Sequence, residues 1–173
     1  HYAEMAESPA FSIDGGFFTT SQSISLSTND TTDIIRYTLD GSEPDSLSSI
    51  YLTPIVVDSR IGDTNVYSEI RTTLNPESWI PNWFPPLGEV FKTNVIRAKA
   101  FNSNKISSYT VTNSYFIDDS IMNRYQDIAV VSLVSDPENL FDDTTGIYVP
   151  GIYHDGTPRS GNYYQDWEKP VHI

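Results

Sequence analysis

Two groups of carboxylates in this 173-residue chain have the spacing of a possible site: Asp40, Glu43 and Asp45 in one polar stretch, and Asp136, Asp142 and Asp143 in another. Calcium takes oxygen ligands from closely spaced loop acids, and glycoside hydrolysis needs two carboxyls held about 5–10 Å apart. Neither group has the spacing of an EF-hand, and nothing selects a hydrolytic pair. Aspartates ahead of Gly or Pro are also ordinary turn and cap residues, so both groups are read as turn formers and caps, with no metal site and no cofactor. His1, His154 and His172 lie too far apart for a local zinc motif. No Gly-x-Ser-x-Gly elbow is present to activate a serine. The absence of cysteine removes thiol nucleophiles, thiolate zinc sites and disulfides.

Recognition is the other available chemistry. Residues 79–86 read Trp-Ile-Pro-Asn-Trp-Phe-Pro-Pro, and Tyr163, Tyr164 and Trp167 follow later. Aromatic faces bury the C–H surface of sugar rings while their rims stay wet, which makes Trp79, Trp83 and Phe84 candidate ligand-binding residues. The opposing reading is that the prolines stiffen this loop and its aromatics pack against the domain. Both readings stand at this level.

The formal charge of −13 argues against a nucleic-acid partner, because phosphate binding needs clustered Lys and Arg and the ten basic residues are scattered. No apolar run approaches the ~18–20 residues of a membrane span. The sequence opens on His1 with no Met and no signal peptide, from which we expect a piece of a longer protein whose export signal or anchor would lie outside it, and the absence of cysteine fits an exported bacterial protein.

The elements that must position these residues follow from periodicity. Residues 1–10 read as a leader. Phe11-Ser12-Ile13 begins the fold, Asp14-Gly15-Gly16 turns it, and Ile24 and Leu26 alternate with serines. Over 34–39, Ile35, Tyr37 and Leu39 form an apolar face opposite Arg36, Thr38 and Asp40. Asp40-Gly41 ends that run and Pro44 forbids further ladder pairing, before a strand at 50–57. Over 95–101, Ile96, Ala98 and Ala100 face inward and Arg97 and Lys99 face solvent. A Thr- and Tyr-rich strand at 109–116 closes the domain. Between them, about 58–91, lies an insertion with Asp63 as N-cap of a short helix over 64–71. Beyond a linker at 119–127, the apolar run 128–134 reads as a strand buried on both faces, Asp136 and Pro137 as a helix start, and 147–149 and 171–173 as further strands.

Tyr37-Thr38-Leu39-Asp40-Gly41-Ser42-Glu43-Pro44, with Ser49, Tyr51 and Pro54-Ile55, closely resembles the signature of the immunoglobulin-like module at the C-terminus of chitobiases and β-hexosaminidases. That resemblance implies a non-catalytic accessory domain in which Tyr37, Asp40, Gly41, Glu43 and Pro44 are motif and turn residues. The runs 130–141, 146–151 and 167–173 resemble the opening of the CotH family, spore-coat protein H and related bacterial surface proteins, whose members are kinase-like. Residues 90–101 and 114–116 are similar to the sandwich module just upstream in such proteins. Neither a glycine-rich phosphate loop nor His-Arg-Asp or Asp-Phe-Gly runs occur here.

The expected architecture is all-β: an immunoglobulin-like antiparallel β-sandwich over 8–118 with a long aromatic and proline-rich insertion, and a small incomplete β-rich segment over 128–173 beginning a CotH-like domain. The expected function is a non-catalytic structural or interaction module of a secreted or surface bacterial protein, on a spore coat for instance. It would contact a downstream CotH-like domain and bind a glycan or a surface or coat protein, without nucleic acid or membrane span. The alternatives are a carbohydrate-binding accessory module using the aromatic loop, and a fragment of an ATP-dependent kinase lacking its catalytic part.

Overall fold

The computed structural model describes residues 4–73, 83–157 and 159–173. The described chain separates into two compact units. One holds the chain up to Ile61 with Lys92–Val134 and Ile173, and the other holds Gly62–Phe91 with Ser135–His172. The expected insertion therefore belongs, from Gly62 onward, with the C-terminal segment, while 128–134 groups with the first unit.

The first unit is an all-β, immunoglobulin-like sandwich. Its larger sheet has the order β2 (Gly16–Phe18), β9 (Val111–Ile117), β8 (Asn94–Phe101), β5 (Ile34–Thr38) and β6 (Ser49–Ile50). All neighbours are antiparallel except β2, which runs parallel to β9. The facing layer consists of two short pairs, β1 (Ala10–Phe11) with β4 (Leu26–Ser27) and β3 (Gln22–Ile24) with β7 (Ile55–Val57). Residues 22–27 thus change partner midway. Ser25 fixes the switch: its N–H donates to the Ser12 hydroxyl at 2.8 Å, and its carbonyl accepts from Ser12 N–H at 2.9 Å.

Alternation along these strands builds the core. Ile24, Leu26, Ile55 and Val57 of the small layer meet Ile35, Ile96, Ala98, Tyr115 and Ile117 of the large sheet. Each fully buried isoleucine contributes about 1.5–3 kcal/mol. Tyr115 brings a hydroxyl into this core and donates it to the Ile13 carbonyl at 2.8 Å, which satisfies the phenol. Burial pushes its pKa up. The helix α1 (Ile121–Arg124) follows β9, anchored by Asp118, which accepts from Ser120 N–H at 2.7 Å and Ser120 Oγ at 2.6 Å.

In the second unit the helix α2 (Pro137–Phe141) starts as its sequence indicates, with Asp136 as N-cap accepting from Glu138 N–H and Pro137 in the first turn. Other expectations fail. The helix over 64–71 shrinks to a 3₁₀ turn at Tyr67–Glu69 that Asp63 does not cap. Residues 147–149 form turns, and 171–173 contribute only a bridge. In the first unit, 128–134 is not a strand: Ile128, Val131 and Leu133 are each about two-thirds exposed and only Val134 is buried. An uninterrupted apolar run signals burial only where other elements cover both sides of it.

Candidate functional site

Within the run 36–54 the chain leaves the larger sheet at the end of β5, folds back over its outer face and rejoins the sheet as β6. Gly41 makes the reversal, with φ at +89°, where a side chain is strained. Asp40 closes the first turn by accepting from Ser42 N–H at 3.0 Å and Ser42 Oγ at 2.6 Å. Asp45 closes the second, accepting from Leu47 N–H and Ser48 N–H, both at 2.8 Å. These bonds to the ionised form hold both carboxyls below their ordinary pKa, the Ser42 and Ser48 hydroxyls contributing most. Pro44 is buried beneath the loop, and Tyr37 packs partly buried against the core.

Glu43 does something different. Its carboxylate takes the guanidinium of Arg97 and the hydroxyl of Thr110, with Lys99 Nζ at 3.4 Å. Arg97 in turn donates Nη1 to the Gly41 carbonyl at 2.8 Å and Nε to Thr112 Oγ1 at 3.3 Å. Further along the loop, Arg36 Nη1 reaches the Ser48 carbonyl at 2.6 Å and Thr38 Oγ1 the Ser42 carbonyl at 2.6 Å. Side chains on the outer face of β5, β8 and β9 therefore clamp the loop. Burial pushes the Glu43 carboxyl up, but the Thr110 hydrogen bond and the Arg97 and Lys99 charges outweigh it, and the net shift is downward.

This overturns the solvent-facing assignment of Arg97 and Lys99, whose side chains are 3% and 21% exposed. It also shows Leu39 turned outward, half exposed, at the strand's end. The alternation itself is correct; the clamped loop covers the polar face.

The described aromatic candidates, Trp83 and Phe84, belong to the second unit. Phe84 is 71% exposed and Trp83 is partly buried, while Trp79 falls outside the described residues. Tyr163 and Tyr164 meet edge to face at 5.1 Å, and Trp167 packs edge-on against Tyr153 at 5.5 Å beneath Lys169. The second acidic group also divides by role. Asp136 caps α2, and Asp142 accepts from Thr144 and Thr145 N–H at 2.9 and 2.8 Å, which holds its carboxyl low. Asp143 lines a cleft of about 330 Å³ together with His154. Among the described residues no group of three His, Cys, Asp or Glu is placed to hold a metal ion, and no helix is long and apolar enough to cross a membrane. Sequence reasoning missed Arg97 as a clamp and His154 as a cleft residue. Only the pairing of one alternating strand's arginine with the motif glutamate signals the first.

Residues 13–73, about a third of the chain, match the family model of the chitobiase/beta-hexosaminidase C-terminal domain, an accessory and non-catalytic domain. No curated protein matches the chain. The match spans the whole clamped loop but stops short of β8 and β9, so Glu43 lies inside it while Arg97, Lys99 and Thr110 lie outside. It ends well before residues 130–173, where the likeness to CotH proteins rests on the quoted motifs alone.

Proposed function

We propose that this chain is a non-catalytic accessory module of a secreted or surface bacterial protein, which positions a neighbouring domain and offers a surface to a glycan or coat-protein partner. The match of residues 13–73 to a carbohydrate-processing accessory family carries this reading. The state of the motif acids supports it: Asp40 and Asp45 are consumed by turns and Glu43 by the Arg97 clamp. A general acid or base needs a carboxyl free to reach substrate, and these have become framework. Among the described aromatics of this loop, Phe84 is exposed and Trp83 partly buried.

The test uses the purified chain on chromogenic N-acetylglucosaminides and, separately, with Mg-ATP. No turnover and no phosphotransfer are expected, and Mg²⁺-dependent autophosphorylation would overturn the reading. Retention on chitin or peptidoglycan should fall roughly tenfold in Phe84→Ala or Trp83→Ala, in the range of about 1–1.5 kcal/mol per aromatic contact. The melting temperature of Phe84→Ala should not move. A strongly destabilised Trp83→Ala would instead assign Trp83 to packing.

A further inference from the structure

The cleft in the second unit is walled by Phe141, Val149 and Pro150 and carries Arg71, Asp143 and His154 among its lining residues. Its volume of about 330 Å³ sits at the small end of the ~300–1,000 Å³ range of small-molecule sites. The walls are fixed from behind. Asn162, fully buried, donates its side-chain amide to the Asp143 carbonyl at 3.0 Å and its N–H to the Pro150 carbonyl at 2.7 Å. Ile152 N–H adds a second bond to the Asp143 carbonyl at 2.9 Å, and Tyr67 stacks on Phe141 at 5.1 Å. A site ordered before binding loses little to ligand-induced ordering.

The polar side chains that line this cleft keep unspent hydrogen-bonding capacity. Among the described residues the Asp143 carboxylate has no bonded partner, unlike its neighbour Asp142. Arg71 spends Nε on the Thr73 carbonyl and keeps both terminal nitrogens. His154 spends Nδ1 on Ser160 Oγ at 2.9 Å and keeps Nε2. One cation and one anion leave the lining without net charge, so an ionic ligand would meet an opposing group of its own sign. A neutral ligand that offers both donors and acceptors uses all three groups at once. Ile70, Phe141 and Val149 supply apolar surface for a ring's C–H face.

We infer that this cleft binds a neutral pyranose unit of a glycan, with Asp143 and Arg71 holding adjacent hydroxyls and His154 a third. The choice of a sugar among neutral polyhydroxylated compounds rests on the accessory-module reading above. The site itself rests on the cleft.

The full chain is titrated with chitotriose and with cellotriose by calorimetry and amide chemical shifts, with citrate and Mg-ATP as ionic comparators. Either trimer should bind with Kd of about 0.1–1 mM and move amides between 141 and 154. Asp143→Ala and Arg71→Ala should each weaken binding about tenfold, the effect of one lost hydrogen bond to a charged group, at unchanged melting temperature. Three results would overturn the inference: no binding of either trimer at about 10 mM, binding untouched by both substitutions, or citrate or ATP occupying the cleft more tightly than the trimers. Retention on insoluble glycan that depends on Phe84 but not on Asp143 or Arg71 would sink the cleft and leave the accessory reading intact. Hydrolysis of a trimer whose binding is lost in Asp143→Ala would do the reverse.

Discussion

Removing Glu43 should damage the sandwich more than removing Arg97, although the two form one ion pair. The asymmetry follows from exposure: the Arg97 side chain is 3% exposed and that of Glu43 44%. In Glu43→Ala the guanidinium keeps two neutral acceptors, Gly41 carbonyl and Thr112 Oγ1, but loses the carboxylate bonded to it while Lys99 stays nearby. Stranding a buried charge costs about 3–5 kcal/mol, and partial hydration through the space vacated by Glu43 points to the lower end. In Arg97→Met the apolar stem is retained, and Glu43 rehydrates while keeping Lys99 and Thr110. The main loss is then the donor to the buried Gly41 carbonyl, about 1–3 kcal/mol. The double substitution has no stranded charge, so it should be more stable than Glu43→Ala alone by about 1–2 kcal/mol.

Urea unfolding followed by far-UV circular dichroism measures all three variants; tryptophan fluorescence would not serve, because the described tryptophans, Trp83 and Trp167, belong to the second unit. Acid gives an independent reading. The folded Glu43 carboxyl sits below its ordinary value, so its contribution is fully present above the unfolded pKa of about 4.3 and is lost as pH falls through the lower folded value. The stability gap between wild type and Glu43→Ala should therefore close below about pH 4. A double variant no more stable than Glu43→Ala, or a gap that persists into acid, would refute the clamp.

Gly41→Ala places a side chain at φ +89° and should cost about 1–2 kcal/mol in the same urea assay, with no change in the second unit. Asn162→Ala should lower protection of the amides of Ile152 and Tyr153 in hydrogen exchange, because Asn162 is fully buried and holds the Asp143 carbonyl; a cost of about 1–3 kcal/mol, local to the second unit, is expected.

The sandwich was legible because its strands alternate and its turns carry Gly, Pro and Asp where the backbone needs them. β5, β8 and β9 fall within a residue or two of their periodic patterns, and the Asp136-Pro137 helix start is local chemistry that no tertiary contact has to override. What failed was everything decided by a third element. Periodicity says which face of β8 Arg97 occupies, not that the loop after β5 will lie across it. The apolar run 128–134 lacks the cover its composition implied, and 147–149 bends into turns fixed by backbone bonds such as Ile147 N–H to the Asn139 carbonyl at 2.9 Å.

The same distinction separates framework from candidate site. Sequence alone weighs Asp40, Glu43, Asp45, Asp142 and Asp143 equally, since each is an acid in a polar turn. The structure sorts them by whether their hydrogen-bonding capacity is used. Four are occupied, by Ser42, by Arg97 with Lys99 and Thr110, by Leu47 with Ser48, and by Thr144 with Thr145. A carboxylate so engaged must break those bonds before it can bind anything else, at about 1.5–3 kcal/mol for each bond to a charged group. Asp143 carries no such cost, and it lines a cleft beside Arg71, which keeps its terminal N–H donors, and His154, which keeps Nε2. The acids of the most recognisable run in the chain are therefore engaged in holding it. They specify how the loop is held, and the acid left unengaged among those five, Asp143, lies in the second unit, outside the signature that the sequence displays most plainly.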